Sequence, residues 1–184
     1  MKLLVHFCCA PCGIAVVNTL KYEKVEFTGF WYNPNIHPYT EYRSRRDSLR
    51  LLAETKSFEL IEKDEYGLRP FVRAVAGDIE GRCSYCYASR LFAAAKAAKE
   101  GGFDAFTTTL LISPYQNHEK ITEAGMRAAM EYGLSFYYRD FRPMFREGQK
   151  LARESGLYMQ KYCGCIFSEE ERYLKKKTEG SVRL

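Results

Sequence analysis

A three-layer α/β domain built on a mainly parallel sheet of five strands is the architecture this sequence predicts. Two observations carry that expectation. Short runs rich in apolar, β-branched and aromatic residues alternate along the chain with helical patterns, the order that βα units produce. The 184 residues, 46% hydrophobic and 28% charged, also suffice for one core of ordinary composition, so a single domain spanning 1–184 is expected. No internal repeat, low-complexity segment or linker interrupts the chain.

The elements follow in order. Lys2 to Phe7 is a near-continuous apolar run and reads as a buried strand. Cys8 to Gly13 makes a tight turn, and Ile14 to Leu20 continues as a short helix; Pro11 suits a first helical turn. Val25 to Tyr32, rich in β-branched and aromatic residues, is the second strand. The prolines of Asn33-Pro34-Asn35-Ile36-His37-Pro38 demand a loop. Tyr39 to Lys56 is a charged amphipathic helix, Phe58 to Ile61 the third strand and Leu68 to Val75 a short helix. Ser84 to Lys99 is an alanine-rich helix stopped by Gly101-Gly102. Asp104 to Leu111 is the fourth strand, ending before Ser113-Pro114. His118 to Tyr132 is a helix closed by Gly133, Leu134 to Tyr138 the fifth strand, and Phe145 to Glu154 a helix closed by Gly156. Ser168 opens the last helix, with Glu171 three residues on as its capping-box partner. The end, KKKTEGSVRL, reads as frayed and solvated.

Sheets of this kind take their ligands outside the carboxyl ends of the strands. HFCCAPC follows the first strand, WYNPNIHPY follows the second and TTTLLISPYQ closes the fourth. All three should therefore line one edge.

Composition narrows the function. No run of about 18 apolar residues is present, so no membrane span is expected. The start, MKLLVHFCC, reads as a strand without a signal-peptide pattern, and a cytoplasmic location follows. Lys and Arg number 28 against 23 Asp and Glu, a net charge of +5 with a pI near 8.8, which suits an RNA or phosphate partner. The 14 Tyr and 12 Phe, several beside Arg or Pro in loop-like sequence, can stack on bases. Ordinary packing is the plainer reading for most of the Tyr residues.

The cysteines are the chemical signal. All seven fall into three tight groups: Cys8, Cys9 and Cys12; Cys83 and Cys86; Cys163 and Cys165. Structural cysteines scatter through a core as small hydrophobes, whereas ligand cysteines cluster so that thiolates can converge on a metal. In a reducing compartment clustered thiols favour metal or redox chemistry over disulfides, and an odd number argues against a closed disulfide framework. Cys9 to Cys12 and Cys83 to Cys86 are both CxxC pairs placed at helix starts, where free N–H groups and the helix dipole favour thiolates. Gly164 lets both side chains of the Cys163–Cys165 pair turn inward. Seven thiols exceed one tetrahedral site, so either two metal centres or one iron–sulfur cluster plus reactive thiols is indicated. Structural zinc is the plainer alternative, because two CxxC pairs can make a zinc ribbon; the spread of the groups along the chain argues against it.

Other residue types speak less clearly. His6 lies in a strand and reads as packed. His37, between loop residues and a proline, is a candidate substrate contact. Asp78, Asp104 and Asp140 are candidate acids or ligands, although a lone Asp at a turn is usually structural. Arg43, Arg45 and Arg46 form either a phosphate-binding face or a solvated helix face.

Taken together, HFCCAPC, WYNPNIHPYTEYRSR, RCSYCYASRL, TTTLLISPYQN and DFRPMFREGQKLARESGLYMQKYCGC resemble the QueH family of epoxyqueuosine reductases over nearly the full length. The resemblance implies an oxidoreductase that removes the epoxide oxygen of epoxyqueuosine in tRNA, the last step of queuosine formation, without cobalamin. It also implies a [4Fe–4S] cluster and a nearby mononuclear iron, held largely by Cys8, Cys9, Cys12, Cys83, Cys86, Cys163 and Cys165. The expected division places Cys9, Cys83 and Cys86 on the cluster and Cys8, Cys12, Cys163 and Cys165 on the second metal, with the swapped assignment open. Tyr115, Gln116, Arg142 and Gln160 join His37 as candidate substrate contacts, and Tyr115 and Asp140 are candidate proton donors. The partner is a tRNA anticodon loop, whose target base can be splayed into a pocket. No GxGxxG fingerprint for NAD or flavin is visible, so an external electron donor such as a ferredoxin or flavodoxin is expected.

Two alternatives belong to other classes. One is a cluster-dependent tRNA-thiolating enzyme of the nucleotide-hydrolase-like (HUP) Rossmann-type fold, which this chain's fold also resembles; CCAPCG replaces the pyrophosphate loop such an enzyme needs. The other is a non-catalytic, zinc-binding RNA-binding protein.

Overall fold

The computed structural model describes residues 1–178, with side chains to Leu174. Five strands, β1 (Leu3–His6), β2 (Phe27–Trp31), β3 (Leu60–Glu62), β4 (Ala105–Thr108) and β5 (Ser135–Phe136), pair in the order β3-β2-β1-β4-β5. Every pairing is parallel. The helices are α1 (Ala10–Tyr22), α2 (Tyr39–Lys56), α3 (Leu68–Val75), α4 (Arg82–Glu100), α5 (His118–Tyr132), α6 (Phe145–Glu154) and α7 (Ile166–Thr178). α1 packs with α2 and α6, while α4 packs with α5 and against β1 and β4. The two groups of helices cover the two faces of the sheet.

The central strand shows why its sequence is apolar. Leu3, Leu4, Val5 and His6 are all fully buried, because a parallel strand between two helical layers has no solvent face. Each such aliphatic side chain contributes about 1.5–3 kcal/mol on burial. Leu3 lies opposite both Phe27 and Ala105, and His6 opposite both Phe30 and Thr108. His6 sits in this core as a satisfied neutral ring. Its Nδ1 pairs with the Thr108 hydroxyl at 2.9 Å and its Nε2 with the Tyr32 carbonyl at 3.1 Å. Burial pushes its pKa down to about 4.

β1 has β2 on one side and β4 on the other, so the strand order reverses there. The crevice outside the ends of β1 and β4 is the place where such sheets bind ligands. Phe7-Cys8 leaves β1 and Thr109 leaves β4, and the two segments touch, with the Cys8 N–H donating to the Thr109 hydroxyl at 3.1 Å.

Several boundaries differ from expectation for local reasons. α1 starts at Ala10, four residues before the expected Ile14, so the Cys8–Gly13 segment is mostly first helical turn, with Cys9 at the N-cap and Pro11 just inside. β4 stops at Thr108, and residues 109–112 form a 3₁₀ turn whose Leu110 N–H is accepted by the Thr108 hydroxyl. β3 is displaced to Leu60–Glu62. α4 starts at Arg82, which puts Cys83 in its first turn. α7 starts at Ile166, and Ser168 is no N-cap: its hydroxyl donates to the Cys165 carbonyl and accepts from the Gly164 N–H. Glu171 pairs with Arg82 instead of closing a capping box. The solvated end expected over 175–184 is helical up to Thr178, and its remainder lies outside the described residues.

Candidate functional site

The β1–α1 turn builds the floor of the site. Cys9 is the extended N-cap residue of α1, and Cys8 and Cys12 flank it on either side of the first turn. The three Sγ atoms lie within 4.8 Å of one another, and all three thiols are buried. Gly13 permits this geometry. A Cβ there would stand 2.5 Å from the Phe7 ring, so only glycine lets α1 begin so close to the end of β1.

The thiols differ in charge. The neighbouring Cys12 and Cys9 thiols hold the Cys8 thiol well below the usual range, with Thr109 and the charge of Arg90 acting in the same direction. Burial pushes Cys9 up, and its bond to Cys8 pushes Cys12 up. The surroundings thus favour the ionised form at Cys8 over its two neighbours, at the positive end of a helix.

The other four thiols come from α4 and from the segment ahead of α7. Cys86 and Cys165 are buried together with Phe71 and Val75 of α3, whereas Cys83 and Cys163 are exposed. Burial, reinforced by the neighbouring thiols Cys163, Cys165 and Cys83, pushes Cys86 up to about 12. Gly164 has φ +152, and a Cβ on it would press on Arg45 and Ile36 at 3.3 Å. Arg45 reaches in from α2 and donates to the carbonyls of Tyr162 and Cys163. His37 supports the same segment from below. Its N–H donates to the Gly164 carbonyl at 2.8 Å, its Nδ1 accepts from Ile166 at 3.3 Å and its Nε2 meets the Pro34 carbonyl at 3.1 Å.

These pieces enclose a cleft of about 950 Å³ with Cys8, Cys9, Cys12 and Cys163 among its lining residues. Two amides address the sulfurs. Gln160 Nε2 lies 3.0 Å from Cys9 Sγ and 3.7 Å from Cys12 Sγ. Gln116 Nε2 lies 3.2 Å from Cys163 Sγ, and the Tyr87 hydroxyl fixes that amide by donating to its Oε1 at 2.7 Å. The Oε1 atom of Gln160 is buried without a partner. Arg146, Arg153, Lys161 and Arg172 also line the cleft, and none of the four is in an ion pair among the described residues. Tyr115 stands at the same cleft, 83% exposed and edge-on to Phe145 with ring centroids 5.7 Å apart.

A donor set of convergent buried thiols with amide N–H groups aimed at sulfur fits a thiolate-bound metal. The family model described as "Epoxyqueuosine reductase QueH" matches residues 3–171. The chain belongs to that family. Its relatives, all named epoxyqueuosine reductase QueH, include the protein of Dehalococcoides mccartyi, 36% identical over 95% of this chain and 96% of that one. Those of Thermotoga maritima and Acinetobacter baylyi are 36% and 35% identical, covering 92% and 100% of this chain and 91% and 87% of theirs. The relatives are named as reductases, and the chain is an oxidoreductase of that family. Solved deacetylases of teicoplanin biosynthesis share only a loose outline, with TM-scores of 0.45 to 0.48 at 10–12% identity.

Within this QueH chain the fold gathers some of the expected site residues and leaves others apart. Gln116, Gln160 and Tyr115 line the cleft with the thiols. His37 is fully buried, is not among the lining residues and is held neutral, its pKa pushed down to about 4 by burial. Asp140 and Arg142 bind each other, Nη2 to Oδ2 at 2.6 Å, away from the cleft lining. The Arg142 hydrogen bond holds Asp140 down at about 2, so it stays ionised. The thiols drawn within 4.8 Å of one another are Cys8, Cys9 and Cys12. The reason is the N-cap turn, which forces neighbours in sequence to be neighbours in space. Arg45 is no phosphate-binding surface residue, being 2% exposed and ion-paired to Glu41 at 2.7 Å, and Arg46 is tied to Asp64 and Asp47.

Sequence reading missed the inward turn of Arg45 and Arg90 and the basic lining from α6 and α7. The spacing of Arg90, four residues after Cys86 on one helix, was the available signal.

Among the described residues, no helix is long and apolar enough to cross a membrane.

Proposed function

We propose that this chain reduces epoxyqueuosine to queuosine in tRNA, with its cysteines holding a [4Fe–4S] cluster and a nearby mononuclear iron in a single domain. The observation that carries the reading is the buried Cys8, Cys9 and Cys12 triad, within 4.8 Å, at the floor of a cleft in a chain of the QueH family. Such a centre supplies electrons one at a time and a Lewis-acid position for an oxygen.

The reaction sets the requirements. Two C–O bonds of the epoxide break, a C=C bond forms, and the oxygen leaves as water, which consumes two electrons and two protons. The electrons come from outside, from a low-potential carrier such as a ferredoxin or flavodoxin. Cys8, Cys9 and Cys12 line the cleft and would hold a metal there, which would supply Lewis-acid chemistry for the epoxide oxygen. Cys83, Cys86, Cys163 and Cys165 hold the second metal group. Gln116 and Gln160 orient sulfur and substrate, and the buried Gln160 Oε1 offers an acceptor to the bound nucleoside. Tyr115, at the mouth, stacks on a base of the loop and stands as the candidate proton donor.

The lining favours RNA. Four exposed cations with no ion-pair partner among the described residues, Arg146 and Arg153 of α6 with Lys161 and Arg172, give phosphates a wall to follow. A cytoplasmic location accords with that partner and with reduced thiols.

The test is an anaerobic, reconstituted preparation assayed for iron, sulfide and zinc and then given epoxyqueuosine-containing tRNA with dithionite. Iron in excess of sulfide, with conversion to queuosine, is expected; zinc without sulfide and no conversion points to the zinc-binding RNA protein. Cys83→Ser separates the two thiol sets, removing one metal group while the Cys8, Cys9 and Cys12 site keeps the other.

A further inference from the structure

Arg90 is buried to 3% exposure in the middle of α4. Its Nε donates to the Cys86 carbonyl at 3.2 Å, its Nη2 to Cys86 Sγ at 2.8 Å and its Nη1 to Asn33 Oδ1 at 3.4 Å. Asn33 is fully buried and passes the link on, its Nδ2 donating to the Phe7 carbonyl at 2.8 Å, one residue before Cys8. The guanidinium is thus tied to both thiol sets. It also lines the cleft.

A buried arginine keeps its charge and needs an anion beside it. Two other buried arginines of this region have carboxylates: Arg45 has Glu41 and Arg82 has Glu171. Arg90 has none within ion-pair distance among the described residues. The groups around it that can carry negative charge are thiols.

We propose that Arg90 is the fixed counter-charge of the sulfur centre, shared by the Cys86 helix turn and the Cys8 turn, setting how tightly metal is held and at what potential the centre accepts an electron. It is a positioning residue, acting through the sulfurs and touching no substrate. The proposal rests on the reading that these thiols hold metal. Each electron taken from dithionite adds one negative charge to the centre without making or breaking a bond to the protein. A cation with an N–H on a ligand sulfur favours that more negative form and so raises the potential.

The experiment compares wild type, Arg90→Lys and Arg90→Gln as reconstituted full-length protein. Iron and sulfide are counted, dithionite titrations are followed by absorption and paramagnetic resonance, and affinity for ferrous iron or zinc is measured against a competing chelator. Arg90→Gln should be reduced only at lower potential and bind metal roughly 10- to 100-fold more weakly, the range for lost partners behind metal ligands. Arg90→Lys, which keeps the charge, should recover most of both effects. A Gln variant matching wild type in potential and affinity overturns the proposal. If the Gln variant holds no metal or does not fold, the Lys variant decides, because a Lys variant equally defective means that the charge is not what matters. A wild type that binds metal without sulfide rejects the cluster reading instead, and the chelator titration still judges Arg90.

Discussion

Arg45 on α2 donates to the backbone carbonyl of Cys163 at 2.7 Å, across 118 residues of sequence. With Glu41 at 2.7 Å behind it and Tyr162 accepting a second bond at 2.9 Å, it clamps the Cys163–Cys165 segment over the thiol triad.

Arg45→Ala removes the clamp and leaves Glu41 as an uncompensated buried charge. Breaking one partner of a buried pair costs about 3–5 kcal/mol. Denaturant unfolding should show a loss of that size, and iron content should fall with it. Unchanged stability would mean that Arg45 is solvated and holds no such clamp.

The basic wall predicts a salt dependence. Arg146→Gln and Arg153→Gln remove two cations from the cleft. For a single-stranded loop, each phosphate contact contributes about 0.7 to the slope of log affinity against log salt. The double variant should therefore lower the slope for an anticodon stem-loop by roughly 1.4, with iron and sulfide unchanged. A wild-type slope would move the RNA to another face.

The fate of the acid candidates separates them. Asp140→Asn should leave turnover near that of wild type, because its carboxylate is occupied by Arg142 outside the cleft lining. Tyr115→Phe should lower kcat if the phenol delivers a proton and leave KM for tRNA nearly unchanged; Tyr115→Ala should raise KM as well by removing the ring.

His37 predicts how stability responds to acid. Its pKa is lowered by burial from 6.5 to about 4, so the unfolded chain takes up the proton first. Above pH 6.5 both states are neutral and His37 contributes no pH dependence. As pH falls from 6.5 towards about 4 the folded state loses stability, by an amount on the order of 2 kcal/mol. His37→Gln should make unfolding free energy less steep over that window by removing its share, and His6, whose pKa burial also pushes down to about 4, keeps its own.

Much of this was legible in the sequence, and the exceptions have physical causes. α2, α3, α5 and α6 run between the residues expected, because Pro38, Gly133 and Gly156 punctuate the chain locally. β4 ends early because the Thr108 side chain captures the next turn's N–H, a competition that strand propensity does not register. The cysteine spacings gave the chemistry, but which thiols converge depends on the N-cap geometry of α1 and on how α7 returns to the sheet edge. Arg45, on a charged helix, and Arg90, on an alanine-rich one, look in sequence like surface residues. Only the tertiary fold turns them inward, where carbonyls and sulfur replace water.

The most direct measurement is mass analysis of tRNA nucleosides after incubation of epoxyqueuosine-containing tRNA with the reconstituted protein and dithionite, beside a Cys8→Ser, Cys9→Ser, Cys12→Ser triple variant. Loss of one oxygen from epoxyqueuosine with the wild type, and none with the triple variant, is the predicted result. Unreacted epoxyqueuosine with a wild-type protein carrying full iron and sulfide, or equal conversion by the triple variant, contradicts a thiol-held metal centre at the cleft floor as the site of reduction.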